Sequence, residues 1–160
     1  MTTYTDEPNR VSETQPNAEL AHAALHKFLL LNRHLRKYAR EMTDQGIRPR
    51  AFSVLRFLLE NGPATVGDVQ AYLYRSASVA STVITGLEEA GYVTRTRSAA
   101  DNRVVIVTLT DAGRALAENA PMGGIPLLRR RLNTLPSAKL ALIDEALAEL
   151  MHLMEVTDSE

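Results

Sequence analysis

Residues 75–95 read "RSASVASTVITGLEEAGYVTR". From Ser76 to Leu87 the stretch carries no charge, only small hydroxyl residues, alanines and β-branched residues with one glycine and a closing leucine. Placed on a 3.6-residue period, Ala80, Val83, Ile84 and Leu87 share one face, and Ser78, Ser81, Thr82 and Thr85 share the other. The spacing predicts an amphipathic helix over 77–90 whose outer face is slim and rich in hydroxyls. Gly91 stops it, because glycine enters the left-handed conformation past a last helical turn without a steric penalty.

Working outward, the preceding segment "ATVGDVQAYL" (64–73) holds a short helix capped by Thr65, with Val66, Val69 and Leu73 inward. Before it, Pro49 to Glu60 reads as a helix with Ala51, Leu55, Leu58 and Leu59 on its stripe, and "NGP" (61–63) ends it. Three helices in a row, the last two joined by a short turn, form a helix-turn-helix layout. After Gly91, "YVTRTRS" (92–98) and "RVVIVTLT" (103–110) flank the polar "AADN" (99–102), the pattern of a β-hairpin. Thr110 caps the following helix, "DAGRALAEN" (111–119).

The flanks are helical as well. From Ala18 to about Gln45, Leu20, Ala24, Phe28, Leu31, Leu35 and Tyr38 recur at three- and four-residue steps, and Gly46 ends the run. Its "FLLL" (28–31) is apolar all round one turn, so cover on every side is expected. "PMGGIP" (121–126) interrupts the helix after the hairpin, since interior proline removes a hydrogen bond and clashes with the preceding turn. Helix resumes at about Leu127, and a last helix runs from 137 to Val156 with apolar positions 140, 143, 147, 150 and 154. That alternating three–four step is a seam for another helix. The expected organisation is a flexible polar tail (1–17), an N-terminal dimerisation helix (18–46), and a winged helix-turn-helix unit (47–113). C-terminal dimerisation helices (114–156), broken near 121–126, and a short tail (157–160) complete it. The fold class is mainly α with a small β-hairpin wing.

Composition narrows the function. The 160 residues carry a net charge of −1, so a basic footprint has to be local. It is: Arg95, Arg97, Arg103 and Arg114 against Asp101 and Asp111 leave +2 over residues 92–114, and −3 over the remainder. The chain has no cysteine, which excludes disulfides, thiol redox sensing and cysteine nucleophiles. No apolar run approaches the about 18 residues of a membrane span and no signal-peptide layout is present, so a soluble cytoplasmic protein is expected. No phosphate-binding loop, nucleophile elbow or metal cluster appears, which argues against an enzyme and against a cofactor. His22 and His26 lie one turn apart, but two histidines do not make a metal site. The arginines of "LLRRRL" (127–132) are expected to pair with acidic residues.

A slim hydroxyl helix followed by a basic hairpin fits double-stranded DNA. Serine and threonine let a backbone approach base edges and phosphates without committing to one base. The candidate DNA-binding residues are Ser76, Ser78, Ser81, Thr82, Thr85, Arg95, Arg97, Asn102 and Arg103.

The stretch 87–113, "LEEAGYVTRTRSAADNRVVIVTLTDAG", resembles the signature of the MarR family of transcriptional regulators. The matching residues are Leu87, Glu88, Gly91, Tyr92, Val93 and Arg95, then Asp101, Arg103, Leu109, Thr110 and Gly113. The resemblance covers about residues 18–156. It implies a homodimer built from the terminal helices and a fourth helix entering the major groove. It also implies that Arg103 reaches a minor groove and that Asp101 stabilises the wing, as a partner of a nearby arginine. It further implies a repressor on a palindromic operator, released by a small-molecule effector bound between the dimer and DNA-binding lobes. The break at 121–126 departs from the family's long helix, which normally walls that ligand site. Two alternatives stay open: a ligand-independent DNA-binding protein, and a helical protein-interaction module of the same fold.

Overall fold

The computed structural model describes residues 14–157. Seven helices and three strands follow in the order α1 (Thr14–Asp44), α2 (Pro49–Asn61), β1 (Ala64–Thr65), α3 (Val66–Leu73), α4 (Ala77–Glu89), β2 (Val93–Arg97), β3 (Val105–Leu109), α5 (Asp111–Asn119), α6 (Gly124–Leu132) and α7 (Ser137–Leu153). Most of the expected tail (1–13) and the end (158–160) lie outside the described residues. Residues 14–17, expected in that tail, are the first turn of α1. Proline at 16 fits there, because the first turn of a helix has no intrahelical partner for its N–H groups.

One core organises the centre. Phe52, Val54, Leu55 and Leu58 of α2, Val69 of α3, and Ala80, Ile84 and Leu87 of α4 are buried with Val93, Val107 and Ala117. The sheet is antiparallel in the order β1–β3–β2, with Val93 opposite Leu109 and Ala64 opposite Val107. The two-residue β1 is an addition to the expected hairpin. It too short to show a period, and it exists because α2 delivers Ala64 to the free edge of β3.

Local chemistry sets the joints. Thr65 and Asp68 cap α3 reciprocally: Asp68 N–H donates to Thr65 Oγ1 at 3.0 Å and Thr65 N–H donates to the Asp68 carboxylate at 2.8 Å. The Thr65 hydroxyl, which donates to the Asp68 carboxylate at 2.7 Å, and then the Thr65 N–H hold that carboxyl below the usual carboxylate range. Gly91 has φ +75, so α4 turns directly into β2. Thr110 caps α5 by accepting from Gly113 N–H at 3.1 Å, while its hydroxyl donates to Gly91 O at 2.7 Å. Gly113 itself is buried against the Tyr92 carbonyl, where an added Cβ would stand 2.0 Å from the oxygen.

The helix after the wing ends at Asn119 and a new one starts at Gly124, three residues before the expected Leu127. Pro126 falls in the first turn of α6, where proline is tolerated. The residues expected to divide at 113/114 lie inside α5, and Ala117 of that helix sits in the central core. The core therefore extends to the break.

The terminal helices are unlike the centre. Leu29, Leu30 and Leu31 are 49%, 45% and 66% exposed and Phe28 is half-buried, so the apolar turn expected to be covered stands largely open among the described residues. No residue of α7 is buried, and Leu142, Ile143, Leu147 and Met151 stand in solvent. α7 ends at Leu153 rather than Val156.

Candidate nucleic-acid interface

α3 is capped at its C-terminal end by Tyr74, which adopts the left-handed conformation (φ 50), and Ser76 opens α4 by accepting from Val79 N–H at a loose 3.5 Å. With Ala80, Ile84 and Leu87 turned into the core, the opposite side of α4 faces outward. Ser76, Ser78, Ser81 and Thr82 are all exposed there. The Thr82 hydroxyl donates to Ser78 O at 2.9 Å, so it offers lone pairs rather than a proton. The outer face is uncharged and carries no side chain longer than threonine over its first two turns, the profile that fits a groove about 12 Å wide.

Thr85 and Arg95 are placed differently from those four. Arg95 Nε donates to Glu88 Oε2 at 2.8 Å and its Nη2 reaches Thr85 Oγ1 at 3.2 Å. The guanidinium thus braces β2 against the last turn of α4, and both side chains are half-buried. Nothing in spacing alone marked Glu88 as the partner, because the pair bridges a helix and a strand across Gly91. The Arg95 hydrogen bonds hold the Glu88 carboxyl below its ordinary range. A carboxyl depressed on folding contributes stability that is complete above its unfolded pKa and lost as pH falls through the folded one. The melting-temperature gap between wild type and Glu88→Gln is therefore expected to be full at neutral pH and to close below about pH 4. A gap that ignores pH would reduce the pair to a shape contact.

At the wing tip, Asp101 Oδ1 accepts from Arg103 N–H at 2.9 Å, and Val104 N–H returns to Asp101 O at 2.9 Å. Asp101 was expected to partner a nearby arginine, and the contact it makes is to the backbone amide of Arg103. The short carboxylate of a turn aspartate reaches the amide two residues on more readily than a distant guanidinium. Arg97 Nη1 donates to Asn102 O at 3.1 Å and closes the same turn. Asn102 contributes that carbonyl and leaves its side chain exposed. The Arg103 side chain is exposed and forms no ion pair among the described residues. Of the arginines named as candidate DNA contacts, Arg95 is tied to Glu88 and Thr85, the exposed Arg97 spends one N–H on the wing turn, and Arg103 forms no side-chain hydrogen bond or ion pair among the described residues.

Two further residues next to α4 are exposed without having been singled out. Tyr74 is 83% exposed, and Arg75 is exposed immediately before the α4 cap. Two open clefts adjoin this region. One, of about 790 Å³, runs along α4 between Ser78, Thr82 and Gly86 and the residues leading into α2. The other, of about 380 Å³, lies between α1, α2, the α3–α4 turn and α6. His22 and His26 are exposed on α1, and among the described residues no three metal-ligating side chains converge. Among those residues no helix is long and apolar enough to cross a membrane.

The arrangement has known counterparts. The MarR family model matches residues 45–103. YwhA of Bacillus subtilis (strain 168), an uncharacterized HTH-type transcriptional regulator, is 30% identical over 96 residues, spanning 56% of this chain and 69% of that protein. YpoP of the same organism, described likewise, is 28% identical over 118 residues, 74% of this chain and 84% of that one. Among solved structures, the S. aureus MepR–DNA complex superposes with a TM-score of 0.56 at 18% identity, covering 86% of this chain and 97% of that one. The YusO protein from Bacillus subtilis gives 0.54 at 22% identity over 88% and 98%. The last two share the fold. Helix-turn-helix, wing and signature residues together make this chain a member of the MarR family, a DNA-binding transcriptional regulator and not an enzyme.

Proposed function

We propose that the protein acts as a homodimeric repressor that sets α4 in the major groove of each half of a palindromic operator, with Arg103 of each wing in the flanking minor groove. The observation that carries this reading is the pairing of a bare hydroxyl face on α4 with a free guanidinium at the wing tip. Around them, every other charged side chain of the wing is engaged internally. The exposed apolar faces of α1 and α7 support pairing of two copies, because helices with nothing to lean on are marginal in water. A two-fold pair then presents two copies of α4 to half-sites about one helical turn apart.

Release by a small effector is supported by the cleft of about 380 Å³ between the terminal helices and the α3–α4 turn. A ligand there touches both α6 and the turn that leads into α4, so its binding favours one arrangement of the two over another. The break in the helix after the wing leaves this space walled by the short α6 rather than by a long continuous helix.

Titration of a duplex recovered by selection from genomic DNA tests the reading. Arg103→Ala is expected to weaken binding by about 1–3 kcal/mol. It is also expected to make the salt dependence shallower by about one contact's worth, 0.9 in log slope. Sedimentation of the free protein should give twice the chain mass. An unchanged titration curve removes the wing from the interface, and a monomer at micromolar concentration removes the paired operator.

A further inference from the structure

The triplet Arg129–Arg131 was expected to form ion pairs with acidic residues, but the described residues contain none that involve it. Arg129 instead reaches across to the end of α3. Its Nη2 donates to the Tyr72 carbonyl oxygen at 2.7 Å, and its Cζ lies 3.7 Å from the centre of the Tyr72 ring and 5.3 Å from that of Tyr74. The Tyr72 carbonyl is one of the last four of α3, which have no partner inside their own helix. A cation at that end also meets the negative pole of the helix dipole. Tyr72 is held from its other side by the Phe57 ring of α2, 4.4 Å between centroids.

The helix that carries Arg129 is itself seated by a close approach. An added Cβ at Gly123 or Gly124 would stand 2.5 or 2.4 Å from carbons on the two edges of the Tyr38 ring. The Tyr38 hydroxyl donates to Pro121 O at 3.0 Å. A mechanical path therefore runs from α1 through Tyr38 and the glycine pair to α6, and from Arg129 to the turn that precedes α4. Among the described residues, no other side chain from beyond the break hydrogen-bonds to α3 or α4.

We propose that Arg129 is a specificity-determining positioning residue: by tying α6 to the α3–α4 turn it fixes the orientation of α4 on the terminal helices, and so the half-site spacing that the dimer accepts. This rests on the reading of a paired regulator given above. Arginine suits the role because one planar group delivers the hydrogen bond and the ring contact together, which a lysine ammonium does not. It touches no DNA in that reading, so its loss leaves phosphate contacts in place.

The test titrates wild type, Arg129→Ala and Arg129→Lys against duplexes carrying the selected half-sites with the gap changed by single base pairs. Wild type is expected to favour one spacing by about tenfold or more over its neighbours. Both variants are expected to flatten that preference to about threefold or less while keeping the dimer mass and, at the favoured spacing, the wild-type salt slope. A preference equal to wild type in the variants overturns the proposal, as does a salt slope reduced by a full contact, which would make Arg129 a phosphate ligand. If Arg129→Ala melts early, Arg129→Lys, which keeps the charge and the stem, decides the matter alone. A monomeric wild type sinks the pairing and the strut together, whereas a wild-type dimer with sharp spacing that the variants retain sinks only the strut.

Discussion

Ser81→Trp is expected to abolish specific operator binding and leave a weak, salt-sensitive association with any duplex. Ser81 is exposed at the middle of the uncharged face of α4, one position from the buried Ala80. An α-helix with its side chains is about 10–12 Å across, so it fills a major groove about 12 Å wide with little to spare. An indole at that point holds the helix off the base edges, and the loss is expected to reach the gap between specific and non-specific binding, about a thousandfold or more. The substitution leaves the core and the terminal helices untouched, so melting temperature and oligomeric mass should match wild type. Competition of labelled operator against bulk genomic DNA measures the effect. Retained discrimination would mean that another surface reads the sequence.

Gly113→Ala is expected to be the most damaging substitution of a single methyl. The added carbon would stand 2.0 Å from the Tyr92 carbonyl oxygen, and that oxygen belongs to backbone rather than to a side chain able to turn away. It is also fixed, since it accepts from Thr110 N–H at 3.1 Å while the Thr110 hydroxyl grips Gly91 O. Relief requires α5 to lift from β2, which uncovers Ala117 and its neighbours in the core. Overpacking of this kind costs about 3 kcal/mol or more. For a chain of this size that corresponds to a melting temperature lower by roughly 10 °C. Calorimetry would detect it, and amide exchange should place the loosening at β2 and the start of α5. A melting point within a degree or two of wild type would show that α5 can begin without this contact.

The central architecture was legible because its signals are local. Thr65, Thr110 and Gly91 mark element ends through contacts within a few residues, and the 3.6-residue alternation of Ala80, Ile84 and Leu87 with Ser78, Ser81 and Thr82 identifies both faces of α4. What escaped depends on partners distant along the chain. β1 is made by pairing with Val107 and Ile106, some forty residues on, and two residues have no periodicity to read. Arg129 reads as one member of a charged run until its partner at Tyr72 is in view. Arg95 was grouped with Arg103 because both are arginines on a hairpin, and only the positions of Glu88 and Thr85 separate a brace from a free hand. The start of α1 was set too late for a different reason: a polar, proline-containing stretch looks unstructured, yet a first turn tolerates both features.

The bare sides of α7 have one more consequence. If two copies pair through α7, as proposed above, the helix is wound to a degree set by how many copies are present, by mass action. Dilution loosens the arm before it disturbs the central core, and crowding of copies tightens it. Under that pairing, coverage of a two-part target climbs more steeply than the supply of protein, so abundance itself becomes a control input.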